Sequence, residues 1–408
     1  MRYLLKQFVR VSVTALAMVT LHVHAATLTV LNTSDAGAGS LRDRISAAAP
    51  GDTIVFGPGV AGTIPLASTL SVAQNLTIRG PGAGSLTING QNTVRVFSVT
   101  GGALTLSAVT ISNGFTTGLG GGLDVLATAT LTLSNSVLSN NAAANGGAIS
   151  IANGGTLTVT NSTFANNSTT SVGGGGLINF GNSTVIGNTF VGNNAPINGG
   201  AINNQPSGVL AVINNTLRTN TSNGLGGAMA NLGTTTAVNN TFSGNQGSSG
   251  AAMATGNSNV TLHNNIFADH VAGAAPAALN PGGGFTTSSN NVFYNNLAAG
   301  VADDQTGYGT VNFVWTSTQP LGPLANNGGP TQTMHPVQNG AAMCAGSIAL
   351  LPGGIATDQR GSPRTSGGCI DAGSVQHHAI PTLSTWALIL LVSLMAMLGI
   401  RRPKFAKF

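Results

Sequence analysis

The chain has 408 residues, 58 of them glycine, with 6% charged and 42% hydrophobic. That much apolar material excludes a disordered polar chain, and so few charges exclude an ordinary solvated globular surface, where roughly 25% is usual. Arg2, Lys6, Arg10, Arg401, Arg402, Lys404 and Lys407 lie in the two ends and leave seven arginines against nine aspartates between them, so the formal charge of +5 forms no patch for a nucleic acid.

Residues 1–25 begin with three basic residues, continue through an apolar run from Val11 to Leu21, and close on Val23 and Ala25. This pattern predicts a secretory signal cleaved between Ala25 and Ala26, the run being short for a membrane span. An N-terminal cap is expected over residues 26–64. Within it Ser40 precedes a stretch that is apolar at Leu41, Ile45, Ala48 and Ala49 and is stopped by Pro50-Gly51, which predicts a short amphipathic helix able to cover the end of a solenoid.

Residues 65–310 repeat. Ile111, Leu138, Phe164, Phe190, Leu217, Phe242, Phe267 and Phe293 recur at intervals of 25 to 27 residues, and a Gly-Gly pair recurs out of phase with them. Between these markers lie runs such as Thr156-Leu157-Thr158-Val159-Thr160, whose period of two marks half-buried strands. Short strands separated by Gly or Asn turns in a 26-residue repeat predict the coils of a parallel β-helix, with the markers stacked inside. Asparagines recur three residues after the marker (Asn141, Asn167, Asn193, Asn220, Asn245, Asn296, with His270 as the exception). They also recur three residues before it (Asn135, Asn161, Asn214, Asn239, Asn264, Asn290, with Gly187 as the exception). Both columns are expected to be amide ladders at tight corners.

Residues 311–376 leave the repeat, and Cys344 with Cys369 suggests a disulfide clamping this segment once exported. Residues 377–408 hold Ile380, Pro381, Thr382 and Leu383, then Trp386, an apolar stretch to Ile400, and Arg401-Arg402. The stretch predicts one transmembrane helix with its basic end in the cytoplasm.

The tetrapeptide, the tryptophan spacing and the arginine pair together resemble the IPTL-CTERM sorting signal of Gram-negative bacteria, with Ala387 where glycine is common. The resemblance implies export across the inner membrane, processing by an exosortase-type enzyme, and display at the cell surface or beyond. Leu321-Gly322-Pro323-Leu324, Asn327-Gly328-Gly329-Pro330, Asp358-Gln359-Arg360-Gly361 and Ile370-Asp371-Ala372-Gly373 resemble the choice-of-anchor Q segment. Gly39-Ser40-Leu41-Arg42-Asp43 and Gly51-Asp52-Thr53-Ile54-Val55-Phe56 loosely resemble the CSLREA-type cap of bacterial surface β-helices, although the Cys and Glu of that name are missing. The fold expected is all-β: a single-stranded right-handed parallel β-helix of the pectin-lyase-like kind.

Many such solenoids act on acidic polysaccharides, and hydrolysis needs two carboxylates at a fixed separation. From Asn113 to Gly300 the charged residues are Asp124, Arg218 and Asp269, with His263 and His270 beside the last. Asp124 and Asp269 fall about five rungs apart, on the order of 24 Å, too far to share a bond. Asp269, His270 and His263 form a local acid/base cluster or an exposed turn, and Asp303-Asp304 a Ca²⁺ site or a polar loop. The sequence therefore leads to the expectation of no enzyme, no cofactor, no metal and no nucleic acid. It points to a structural or adhesive surface wall that contacts glycans or neighbouring cell-surface components. A polysaccharide lyase or glycoside hydrolase is the alternative.

Overall fold

The computed structural model describes residues 25–256, 259–282, 287–303, 312–365, 368–377 and 393. The chain coils into a parallel β-helix with four strips of strand. Two strips hold eleven strands each, a third nine and the fourth eight. The first strip, the threonine sheet, already begins at Thr27–Val30, so the stretch expected as a cap supplies rungs of its own. Helix α1 (Leu41–Ala47) is placed as its sequence predicts. The Ser40 hydroxyl accepts from the Asp43 N–H at 3.2 Å, satisfying one orphan donor of the first turn, and Leu41 is buried.

In the threonine sheet the strands alternate. Leu131, Leu133, Leu157 and Val159 point inward and are buried, while their neighbours face out. Strand pairing puts Thr27, Thr53, Thr77, Thr105, Thr132, Thr158, Thr184, Ala211, Thr236, Thr261 and Thr287 in one outward column. The next strip, the phenylalanine sheet, stacks the marker residues in one internal column running Ile64, Ile88, Ile111, Leu138, Phe164, Phe190, Leu217, Phe242, Phe267 and Phe293. All ten are fully buried. Stacking rings on coils about 4.8 Å apart is cheap because each presents the same face to the next; Phe164 and Phe190 lie 4.4 Å apart and 10° from parallel.

The upstream asparagine column differs from expectation by one residue. Asn135, Asn161, Asn214, Asn239, Asn264 and Asn290 have φ between 50° and 58°, and Gly187 stands among them because the position requires the left-handed region. These residues turn the corner, and the ladder stands one position later at Asn188, Asn215, Asn240, Asn265 and Asn291. There each Nδ2 donates to the next Oδ1 at 3.0–3.1 Å. The downstream column is a ladder as expected, from Asn141 through Asn167, Asn193 and Asn220 to Asn245, with the same bond at 2.9–3.0 Å. A third, shorter ladder joins Asn179, Asn204 and Asn231 at 2.8 Å. The Gly-Gly pairs serve the turn into the nine-stranded strip. Gly199 has φ of 61°, and a Cβ on Gly200 would lie 2.2 Å from the Gly227 carbonyl oxygen of the next coil.

The C-terminal segment does not close the end of the solenoid. It runs back along the outer face of the phenylalanine sheet. Gln359 Nε2 donates to the Asn188 carbonyl and to Thr189 Oγ1 at 3.0 Å, Thr216 Oγ1 donates to Gln359 Oε1 at 2.7 Å, and Asn264 Nδ2 donates to the Ser347 carbonyl at 3.1 Å. Thr189, Thr216 and Thr241, outward positions in the sequence pattern, are buried beneath it. A disulfide joins Cys344 to Cys369 within this segment. Among the described residues no helix is long and apolar enough to cross a membrane. The expected signal through residue 24 and the sorting residues Ile380 to Arg402 lie outside the described residues, Ser393 excepted.

Candidate functional site at the Arg95 and Asp124 corner

The cluster expected around Asp269 is taken apart by the coil. His263 faces out of the threonine sheet, where its ring nitrogens meet Ser289 Oγ at 3.0 Å and Thr287 Oγ1 at 3.4 Å. Asp269 lies past the following strand, at a left-handed corner, with its carboxylate accepting from Asn295 at 2.9 Å and Gln319 at 3.1 Å. His270 points inward and is fully buried in the asparagine ladder, where Nδ1 accepts from the Asn245 N–H at 3.2 Å. The three side chains therefore belong to three different surfaces. Asp303 is buried and accepts from the Ala277 N–H, Asp304 lies outside the described residues, and no group of metal-ligating side chains occurs among those described.

Burial pushes the His270 imidazole down to about 4, with the Asp269 charge opposing it. The folded state thus keeps His270 neutral through a range in which the unfolded chain takes up a proton. Stability is complete above about pH 6.5 and falls as the pH drops toward 4, by on the order of 3 kcal/mol. Denaturant titrations between pH 7 and pH 4 should show that loss, and His270→Asn, which restores the ladder amide, should reduce it. An unchanged pH slope in His270→Asn would assign the acid sensitivity elsewhere.

A different pair does come together. The expectation that no charged groups in the solenoid are close enough to act on one bond is corrected by Arg95 Nη2, which stands 3.3 Å from Asp124 Oδ2. Asp124 is the middle residue of Leu123–Val125, whose neighbours turn inward, so its side chain emerges on the outer face of the nine-stranded strip. The strand pairs with Phe97–Val99 one coil earlier, opposing Asp124 to Ser98, and Arg95 lies just upstream of that strand. The guanidinium is fixed by Nε donating to the Gly120 carbonyl at 3.0 Å and Nη2 to the Leu119 carbonyl at 2.6 Å. Its Nη1 makes no hydrogen bond among the described residues. The Asp124 side chain is only 8% exposed. That burial raises its pKa above the usual carboxylate value, opposed by the Arg95 charge and then by the Ser150 hydroxyl.

Arg95, and not Asp124 behind it, lines a surface depression of about 360 Å³ together with Thr69, Thr93, Val94, Phe115, Thr116 and Thr117. Phe115 is 37% exposed and supplies an apolar plate, the threonines supply hydroxyls, and Arg95 supplies the positive charge. The arrangement suits a sugar ring carrying a carboxylate: C–H groups on the aromatic face, the acid on the guanidinium. Sequence reasoning missed Arg95 because it lies before the stretch from Asn113 to Gly300 over which charged residues were weighed. The signal was nevertheless present, since a 26-residue period sets position 98 opposite Asp124.

A family model described as a right-handed β-helix region matches residues 68–267 and 121–313, and one for the IPTL-CTERM motif matches residues 378–403. No curated protein sequence matches. Among solved structures, the chain is similar to the PL6 family alginate lyase AlyGC, at 13% identity and TM-score 0.41, covering 69% of this chain and 46% of that one. It is also similar to jun a 1, the major allergen from cedar pollen (16%, TM-score 0.37, 72% of this chain and 81% of that). A third is a mannuronic acid specific polysaccharide family 6 lyase enzyme from human gut microbiota (10%, TM-score 0.30, 71% and 86%). The chain thus spans less than half the length of the alginate lyase. The expectation of a non-enzyme is withdrawn: its premise was that no charged pair stands close enough to act, and Arg95 and Asp124 form such a pair, while two of these neighbours are lyases by name. Identities of 10–16% carry no chemistry to this chain, so any chemistry has to come from its own residues.

Proposed function

Because the chain belongs to the right-handed β-helix family and carries an IPTL-CTERM sorting motif, we propose that it is a surface protein that cleaves acidic polysaccharide by β-elimination at the Arg95 and Asp124 corner. The motif fits a surface protein and implies processing by an exosortase-type system. The observation that supports the chemistry is a fixed guanidinium with one unpaired nitrogen at the edge of an open depression, backed by the buried Asp124 carboxylate of raised pKa.

Elimination from a uronate begins with loss of the proton next to the carboxylate, which is made acidic when a cation neutralises that group. Arg95 Nη1 is free to take the substrate carboxylate without releasing Asp124. Asp124, desolvated and therefore more basic than a solvated carboxylate, accepts the C5 proton. The electron pair forms the C4–C5 double bond, the C4–O4 bond breaks, and the departing oxygen takes a proton from water. Asp124 then returns its proton to solvent.

Purified full-length protein incubated with alginate and with pectate should produce unsaturated uronate ends, read by ultraviolet absorbance. Arg95→Ala and Asp124→Asn should each lower turnover by about 10²- to 10⁴-fold. Folded protein that yields no unsaturated ends, or turnover unchanged by Arg95→Ala, would sink this reading and return the chain to an adhesive role.

A further inference from the structure

The threonine column is far from the Arg95 corner in chemistry, carrying neither a charge nor an aromatic ring. Among the outward positions of that sheet from Ala103 to Ser289 there is no Asp, Glu, Lys or Arg, and His263 is the one titratable group. The hydroxyls of Thr105, Thr132, Thr158, Thr184 and Thr236 make no hydrogen bond to protein among the described residues, although the side chains are only partly exposed. Thr105, Thr132, Thr158 and Thr184 stand in line on consecutive rungs, about 4.8 Å apart, and in the strands Thr130–Ser134 and Thr156–Thr160 a second outward threonine lies two residues away, about 6.7 Å across the face. The covering C-terminal segment stops at the corner residues Asn214 and Asn264 and leaves this column open.

We propose that this face binds ice. The repeat along the column is close to the oxygen repeat of an ice surface, and a threonine presents to it both a hydroxyl that joins the water lattice and a methyl over which water orders. Threonine is β-branched and stiff at χ1, so identical neighbours hold their hydroxyls in register at little entropic cost. The internal amide ladders and the ring stack prevent the sheet from flexing out of register. Charge complementarity favours the same occupant. An ionic side chain would impose its own hydration shell on the lattice, and none is present; an acidic polymer would need cations that the face lacks. Sugar rings bind best to aromatic plates, which are absent from these positions. Ala211 interrupts the column once, and at the flank of the later coils Ile213 and Val238 are buried rather than presented to solvent, so the earlier coils from Thr105 to Thr184 carry the site.

The test freezes a dilute solution of fluorescently labelled full-length protein slowly on a cold finger, in matched detergent, and measures partition between ice and liquid. The wild type is expected to be enriched in the ice several-fold over a labelled inert protein. Thr132→Lys and Thr158→Lys, both on the open face, should fall to the inert level. Thr163→Lys on the phenylalanine sheet, with far-UV circular dichroism confirming the fold of all variants, should remain enriched. Exclusion of the wild type from ice, equal enrichment of Thr158→Lys, or retention only on insoluble neutral polysaccharide would each overturn the assignment.

Discussion

Asn193→Ala is expected to destabilise the solenoid by about 3–6 kcal/mol, among the largest effects of any single change in the chain. Asn193 is fully buried, and its side chain serves three neighbours. Its Nδ2 donates to the Phe164 carbonyl and to Asn220 Oδ1 at 2.9 Å, and its Oδ1 accepts from both the N–H and Nδ2 of Asn167 at 2.9–3.0 Å. Truncation leaves the Phe164 carbonyl and both Asn167 donors without these partners, and a buried polar group without one costs about 1–3 kcal/mol. Asn193→Asp keeps the acceptor and loses the donor, placing a carboxylate against two oxygens, and should be at least as damaging. Denaturant midpoints check both. A loss below about 1 kcal/mol for Asn193→Ala would mean that the ladder is ornamental and the corner is held by backbone bonds alone.

Phe267→Ala is the second large effect, at about 3–5 kcal/mol. Phe267 lies between Phe242 at 5.0 Å and Phe293 at 5.2 Å, with ring planes within 20°, and is fully buried. Its removal costs the transfer free energy of the ring and both stacking contacts. It also leaves a cavity that coils fixed at about 4.8 Å cannot collapse into. Phe267→Leu should recover most of the loss, because Leu217 and Leu138 occupy the same column. If Phe267→Ala unfolds at the wild-type midpoint, the column is not the core.

The repeat itself was legible in the sequence. Large apolar residues every 25 to 27 positions, alternation between them and Gly-Gly out of phase admit few solutions, because a strand must bury one face and a coil has only its neighbours to bury it against. Helix α1 was legible for the same local reason: Ser40, the apolar spacing and Pro50 specify its start, face and stop. The sorting motif, too, is written in residue order alone.

Side-chain direction at the corners was decided by tertiary structure. Asn214 and Asn215 look alike in sequence, yet Asn214 takes the left-handed corner while Asn215 enters the ladder, because only one of two consecutive residues can point inward. Asp269 and His270 are separated in the same way, one to solvent and one to the core. The Arg95 and Asp124 pair spans 29 positions and exists only because one coil sits on another. Its depression owes as much to the turn around Phe115 as to the repeat. The course of the C-terminal segment also lay beyond any local pattern. Thr189, Thr216 and Thr241 read as solvent-facing by period, and they are buried because Gln359 and Ser374 bond to them from more than a hundred residues away.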